Sequence, residues 1–260
     1  MKEIILSLKY DKSIPVEAEA ITPDNFSNKT KEEIEELDLY LGNKVVKLRD
    51  IFDVSVDGDK TAKIDETRII IKGNAYRIKR IGEGMTGGEI VVEGSVDMRC
   101  GAMMQGGRIT VKGNADSWTG QEMAGGEIII EGDAEDYVGS AYRGALSGMS
   151  GGKITIKGNV GLYLGEKMSG GEIIVEGDAD MLAGMEMSGG KITIKGDAIM
   201  PGGEMTGGEV IVMGDVIDRL PTFKYVGKET KENAILEKYA GDLSVRRAKG
   251  SLYIKPAARP

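Results

Sequence analysis

The chain has no histidine, a single cysteine and one tryptophan among its 260 residues. Without histidine there is no imidazole to activate a nucleophile, ligate a metal or shuttle a proton near neutral pH. One cysteine, Cys100, rules out an internal disulfide, a four-thiolate zinc site and a self-contained iron–sulfur cluster. Any redox or metal chemistry linked to this protein is therefore expected on another chain. Basic residues are outnumbered, 34 against 42, for a net charge of −8. Such a surface disfavours broad nucleic-acid binding. No run approaches the ~20 apolar residues of a membrane span, and the opening MKEIILSLKY meets charge too early for a signal peptide. A cytoplasmic protein is expected, with no membrane and no nucleic-acid partner.

Glycine is abundant, with 39 residues against six prolines, and it is periodic. Seven related blocks occur: 85-MTGGEIVVEG-94, 104-MQGGRITVKG-113, 123-MAGGEIIIEG-132, 149-MSGGKITIKG-158, 168-MSGGEIIVEG-177, 187-MSGGKITIKG-196 and 205-MTGGEVIVMG-214. The steps between them are 19, 19, 26, 19, 19 and 18 residues. A short fixed period is the mark of a solenoid, in which each unit buries its apolar face only against its neighbours. Within 168-MSGGEIIVEGDADMLAGME the Gly-Gly pair marks a turn, Glu172 to Glu176 alternate as a strand, and a second short strand is expected from about Asp180 to Ala183. Ile173 and Val175 should face inward. These units fit coils of a right-handed parallel β-helix, stacked at the usual strand spacing of about 4.8 Å.

The outward columns support direct stacking. The position after Gly-Gly reads Glu89, Arg108, Glu127, Lys153, Glu172, Lys191, Glu209. Its charge alternates from coil to coil, which is favourable only if consecutive repeats are neighbours in one sheet. Between the charged columns, Val91, Thr110, Ile129, Thr155, Ile174, Thr193 and Ile211 leave a half-apolar strip, either a tolerated β-branched face or a surface that another element or protein chain covers. Met85 and the six methionines that open the later repeats read as flexible filler at a corner of the coil. Cys100 aligns with Thr119, Val138, Leu164 and Ala183, a core column. Asn114, Asp133, Asn159, Asp178, Asp197 and Asp215 read as turn residues, since their spacing does not match a calcium-binding nonapeptide array.

The 26-residue step carries seven extra residues within 140-SAYRGALSG-148. A bulge from a regular coil is either a tolerated insertion or a natural contact point for a partner. Tyr142 and Arg143 are residue types favoured at interface hot spots, and they are the candidate partner contacts. The columns offer no catalytic, cofactor-binding or metal-ligating set.

The charge divides the chain into three. Residues 1–60, an N-terminal cap or docking domain, hold nine basic and fourteen acidic residues. Residues 61–216 form the repeat domain, which a half-repeat, 67-TRIIIKGNA-75, begins. Residues 217–260, a C-terminal cap or docking segment, hold ten basic and five acidic residues. The fold class is all-β with small α+β caps covering the open sheet edges at both ends. The N-terminal cap should contain a strand from Ile4 to Leu8, a turn at 22–24, and a helix from about Lys31 to Leu39 capped by Thr30 with Glu33 completing a capping box. The C-terminal segment should contain a helix within Val226–Tyr239 and a strand pair formed by 241–243 and 251–254.

The repeat Met-x-Gly-Gly-x-Ile-x-Val-x-Gly, with a further glycine at Gly101, Gly120, Gly139, Gly165 and Gly184, resembles the glycine-repeat domain at the C-terminal end of the large chain of glutamate synthase, which is a right-handed β-helix. Over nearly the whole chain, 22-TPDNF-26, 42-GN-43, 50-DIFDVSVDGD-59, the repeats and the closing 240-AGDLSV and GSLYI-254 resemble the C subunit of formylmethanofuran dehydrogenase. That resemblance implies a cytoplasmic oxidoreductase complex that fixes carbon dioxide onto the amine of methanofuran at the start of methanogenesis. It implies a tungsten- or molybdenum-pterin centre on the B subunit, a dinuclear metal site on the A subunit, and iron–sulfur clusters on further subunits. This chain would be a non-catalytic scaffold holding those two together. Two other readings stand beside it: the C subunit of the formyltransferase/hydrolase complex of methylotrophs, and a stand-alone β-helix subunit of glutamate synthase. An independent enzyme is a further alternative, since fold alone does not decide function.

Overall fold

The computed structural model describes residues 1–11, 13–58 and 62–256. Asp59 of the 50–59 segment, the 60/61 boundary and the last four residues of the C-terminal segment lie outside the described residues. The chain is all-β, with helix among the described residues confined to Pro23–Phe26, Lys31–Glu35, Leu48–Ile51 and a single 3-10 turn at Ile64–Glu66.

Each repeat contributes one four-residue strand, beginning with Glu89–Val92 and ending with Glu209–Val212, to a 13-stranded sheet. Every rung pairs in parallel with the next at equivalent positions. Ile128 stands opposite Ile109 on one side and Ile154 on the other, and the pattern continues through Ile173, Ile192 and Val210. Ile109, Ile128, Ile154, Ile173, Ile192 and Val210 are all fully buried. Stacking like on like lets β-branched side chains interdigitate with few voids. A second ladder runs along another side through the bridges Ala75–Val96–Ala115–Ala134–Val160–Ala179. It continues as the strands Ala179–Met181, Ala198–Ile199 and Val216–Ile217.

The 26-residue step leaves this register intact, because Glu127 pairs with Lys153 as Lys153 pairs with Glu172. The alternating charges meet as the register requires: Arg108–Glu127 at 2.7 Å, Lys153–Glu172 at 3.2 Å and Lys195–Glu176 at 2.6 Å. Each such exposed pair contributes at most a few tenths of a kcal/mol to about 1 kcal/mol.

The repeat motif itself is a packing device. The second glycine of each pair has positive φ, +84° at Gly126, and a Cβ there would come within 2.6 Å of the Met104 Cε one rung back. The same relation joins Met123 to Gly152 and Met168 to Gly190. Each methionine methyl thus fills the space that the glycine of the next rung vacates. At the opposite turn, side-chain oxygens form a ladder. Asn114 Oδ1 accepts from the Asp133 N–H (3.1 Å), Asp133 Oδ1 from Asn159 (2.7 Å) and Asn159 Oδ1 from Asp178 (2.9 Å). The turn residues therefore tie rung to rung as well as shaping each turn.

The ends correct several expectations. The N-terminal strand is Lys2–Leu8, and it joins the rung sheet directly, parallel to Thr67–Lys72 and antiparallel to Phe52–Gly58. The expected turn at 22–24 is the start of a short helix capped by Thr22. The Thr30–Glu33 capping box forms as expected, but its helix stops at Glu35. Beyond it, Leu39 is buried between exposed Asp38 and Tyr40, an alternation that forms the strand Asp38–Leu41. The second strand of the 168–186 repeat is Ala179–Met181, slightly earlier than expected.

The helix expected within Val226–Tyr239 is a β-hairpin, Lys224–Lys231 with Ala234–Gly241. Its turn residues, Glu232 and Asn233, both have positive φ (46° and 61°), the geometry of a two-residue hairpin turn. The closing strand Gly250–Ile254 pairs with Ala234–Gly241 and with the last rung; residues 242–243 lie in a turn and not in a strand. The hairpin folds back over the outer face of the last two rungs. There Ile211, Leu236 and Tyr253 form a small buried cluster. Lys231 bonds Glu209 at 2.8 Å, and Glu232 at the tip bonds Lys191 at 2.6 Å. Thr193 and Ile211 are therefore buried, whereas Thr110, Ile129, Thr155 and Ile174 stay half-exposed.

Candidate partner-docking face

One side of the stack differs from the rest in its residues. At the residue before the Cys100 column, consecutive turns place Arg80, Arg99, Trp118, Tyr137, Tyr163 and Leu182, all with φ between 59° and 69°. Left-handed backbone costs about 1–2 kcal/mol for a residue with a Cβ. It is held by the stack, because each N–H donates to a carbonyl one rung on: Trp118 to Asp136 (2.9 Å), Tyr137 to Leu162 (2.8 Å) and Tyr163 to Met181 (3.0 Å). The conformation throws the side chains outward in register. Trp118 and Tyr137 stack with centroids 5.1 Å apart and planes 6° from parallel, and Tyr137 and Tyr163 stack at 5.0 Å and 5°. Such pairs contribute about 0.5–1.5 kcal/mol each beyond burial, which partly offsets the backbone cost.

The inserted loop lies against this ladder. The Ala141 N–H donates to Glu166 O (3.2 Å), and the Gly148 N–H donates to Lys167 O (2.8 Å). The Tyr142 N–H donates to Glu122 Oε1 (2.9 Å), and the Ser147 hydroxyl meets that of Ser169 at 2.8 Å. The loop is thereby pinned to the rungs on both sides. The two candidate contacts point outward from it: Arg143 is exposed and Tyr142 is 46% exposed. Both also touch the ladder. The Arg143 guanidinium lies 5.9 Å from the Trp118 ring centre, and the Arg99 guanidinium lies 5.2 Å from that of Tyr142. Leu146 at the tip is 97% exposed, the most exposed large apolar side chain of the described residues.

Two depressions flank the loop. One, of about 130 Å³, is bounded by Tyr137, Tyr142, Arg143 and Glu166. The other, of about 310 Å³, lies between the loop and the two-residue strand Ile78–Lys79 and is bounded by Glu17, Lys79, Met98, Arg99, Trp118, Tyr142 and Arg143. Beside it, Arg80 grips Glu83 through two hydrogen bonds (2.5 and 2.8 Å) and reaches Glu19 at 3.3 Å. The Glu83 hydrogen bond holds the guanidinium far above its ordinary value. Burial pushes the Tyr137 hydroxyl and the Glu166 carboxyl upward, the former with help from Tyr163 and Glu166.

Sequence reasoning singled out Tyr142 and Arg143 but not the ladder beneath them or Leu146. The signal was present: Arg99, Trp118, Tyr163 and Leu182 each stand five residues before a repeat methionine. The insertion puts Tyr137 twelve residues before Met149, but it keeps its place immediately before Val138 of the Cys100 column.

The rest of the chain offers little to hold a reacting group. Cys100 is fully buried, and burial pushes its thiol up to about 12. Among the described residues no group of three or more Cys, Asp and Glu side chains is arranged to hold a metal ion. The one thiol, Cys100, is buried and alone, so this chain does not supply the set of thiolates that a self-contained iron–sulfur cluster needs. Among the described residues no helix is long and apolar enough to cross a membrane.

The fold and this face define a stacked-repeat protein whose distinctive surface suits contact with other chains. Comparison with known proteins then places the chain. No family model matches it. The C subunit of the tungsten-containing formylmethanofuran dehydrogenase 2 of Methanococcus maripaludis is 51% identical over 267 aligned positions, covering 97% of this chain and 96% of that protein. Its namesake from Methanothermobacter marburgensis is 48% identical over 102 residues, 39% of this chain and only 37% of that relative's length. Among solved structures, one component of the formyltransferase/hydrolase complex FhcABCD from Methylorubrum extorquens, crystallised with methylofuran, superposes with a TM-score of 0.88 at 30% identity, covering 97% of this chain and 99% of that one. The chain belongs to the family of formylmethanofuran dehydrogenase C subunits.

Proposed function

We propose that the chain is a non-catalytic structural subunit of a cytoplasmic formylmethanofuran dehydrogenase complex. That complex reduces carbon dioxide and attaches the formyl group to methanofuran. In this reading the chain holds the A and B subunits together. The tungsten- or molybdenum-pterin, the iron–sulfur clusters and the dinuclear metal site belong to partner subunits. The stack is a right-handed parallel β-helix of about 19-residue coils spanning 61–216, and residues 1–60 and 217–260 serve as caps or docking segments. Tyr142 and Arg143 contact a partner.

The observation that carries this reading is the full-length likeness to the C subunit of a tungsten enzyme. The side-chain inventory agrees with it, since a chain with no histidine and one buried thiol has little means of doing the redox chemistry itself. Native, anaerobic purification of the tagged chain from its own cells, with mass spectrometry of partners and metal analysis, tests the proposal. Co-purification of the A and B subunits with iron–sulfur proteins and tungsten or molybdenum is expected. Recovery of the chain alone contradicts it. The solved neighbour favours a second reading, the C subunit of a formyltransferase/hydrolase complex. Under that reading A- and B-type partners appear without iron–sulfur proteins or a pterin metal.

A further inference from the structure

The cleft between the inserted loop and strand Ile78–Lys79 brings three cations and two aromatic rings together. Its volume is about 310 Å³. Three cations, Lys79, Arg99 and Arg143, line it with one carboxylate, Glu17, and two aromatic walls, Trp118 and Tyr142. Several rung columns match their charges from coil to coil, as at Arg108–Glu127 and Lys153–Glu172, whereas these cations are poorly matched. Lys79 and Arg143 form no ion pair within 4.0 Å among the described residues, although the buried Asp97 carboxyl feels the charge of Lys79. Arg99 reaches Glu83 only at 3.6 Å, and its buried Nε has no hydrogen-bond partner. Glu17, the one carboxylate of the lining, already faces Arg80 at 3.8 Å.

We propose that this cleft receives a glutamate or aspartate side chain from an acidic segment of a partner protein. The inference deepens the docking role of Tyr142 and Arg143 and rests on it. The chemistry of the lining selects the occupant. Guanidinium groups bind carboxylates through paired, charge-assisted hydrogen bonds. Flat aromatic walls take the methylenes and the peptide plane of the incoming segment. Leu146, 97% exposed on the same pinned loop, supplies an apolar anchor beside the charged contact. The pinning matters, because a loop already held by the Glu122, Glu166 and Lys167 contacts loses little further freedom on binding.

The cleft carries its own reporter, since Trp118 is the only tryptophan of the chain. The full-length chain is titrated with an acetylated, amidated pentapeptide of alternating glutamate and leucine, and Trp118 emission is followed. A saturable change is expected. It should weaken about tenfold in Arg143→Gln, the loss typical of one charge-assisted contact, and vanish in the Lys79→Gln, Arg143→Gln double variant. Arg143→Lys should retain part of it, and rising salt should weaken it. No saturable change overturns the proposal. So does an equal response to the glutamine counterpart of the peptide, to inorganic phosphate, or in Arg143→Gln. Co-purification of the same variants separates the two claims. A chain that assembles with its partners but ignores the peptide removes the cleft and leaves the structural-subunit reading. A chain that binds the peptide but purifies alone does the reverse.

Discussion

At the residue scale the repeat is a set of exchanges between neighbouring rungs. Gly125 is glycine because a Cβ there would fall on the Gln105 carbonyl oxygen of the rung before, and backbone cannot step aside as a side chain can. Gly125→Ala should cost about 1–3 kcal/mol, seen as a lower midpoint in denaturant. Met104→Ala empties the space beside Gly126 and should cost about 2–5 kcal/mol. Cys100 gives a pH test. Burial raises its thiol from an ordinary 9.0 to about 12, so between those values the folded chain keeps a proton that the unfolded chain releases. Its stabilising contribution is complete below pH 9.0 and is lost as pH climbs towards 12. Cys100→Ala should flatten that alkaline slope in denaturation curves. Native protein should not react with a maleimide until it unfolds.

At the element scale, what the sequence disclosed depended on whether the neighbour was itself a repeat. The rungs were legible because Ile128, Ile154 and Ile173 meet copies of themselves, so one pattern specifies both partners. The insertion was legible as a break in period. The C-terminal hairpin was not. Its residues from Lys228 to Tyr239 are rich in Lys and Glu, which favour helix locally, and pairing with Gly250–Ile254 overrides that preference. The fold-back of this hairpin explains why Lys191, beside Glu172 at 3.5 Å and Glu232 at 2.6 Å, sits in a small ion network and not in a simple ladder.

Replacing Ile173 and Ile192 by Asp should unfold the stack, because two uncompensated carboxyls would lie between buried rungs. Lys191→Glu should cost only about 1 kcal/mol, since its contacts are near the surface. The Asp242 carboxyl, just past strand Ala234–Gly241, makes this end of the chain acid-sensitive. Burial alone would raise Asp242, but the Thr222 side chain, with hydrogen bonds from the Ser244 N–H and hydroxyl and from the Glu204 N–H, outweighs it and holds the carboxyl below its ordinary 3.8. Its contribution is present above pH 3.8 and is lost as pH falls through the lower folded value. Asp242→Asn should remove that acid-dependent part, which hydrogen exchange of residues 224–254 as a function of pH would read.

At the scale of the whole molecule, a regular stack supports one pinned, aromatic face. The rungs hold Trp118, Tyr137 and Tyr163 in parallel at about 5 Å and anchor a loop against them, which would pre-organise the proposed contact with another chain. This face was only half legible. Tyr142 and Arg143 stood out by residue type and by the broken period, whereas the ladder beneath them showed only as a column of aromatic and basic residues, whose outward stacking depends on left-handed backbone at Trp118, Tyr137 and Tyr163. Arg143→Glu, Leu146→Ser together should weaken assembly by at least about tenfold while leaving the denaturation midpoint of the isolated chain unchanged. Native mass spectrometry of the mixture against calorimetry of the free chain separates the two effects.

The central claim is that this face is where the chain is held by its partners. Hydrogen–deuterium exchange, comparing the isolated chain with the assembled complex, tests it most directly. Selective protection of residues 140–148 and of the turns at Trp118 and Tyr137 in the complex is the predicted result. An intact complex in which those segments exchange as they do in the free chain would contradict it.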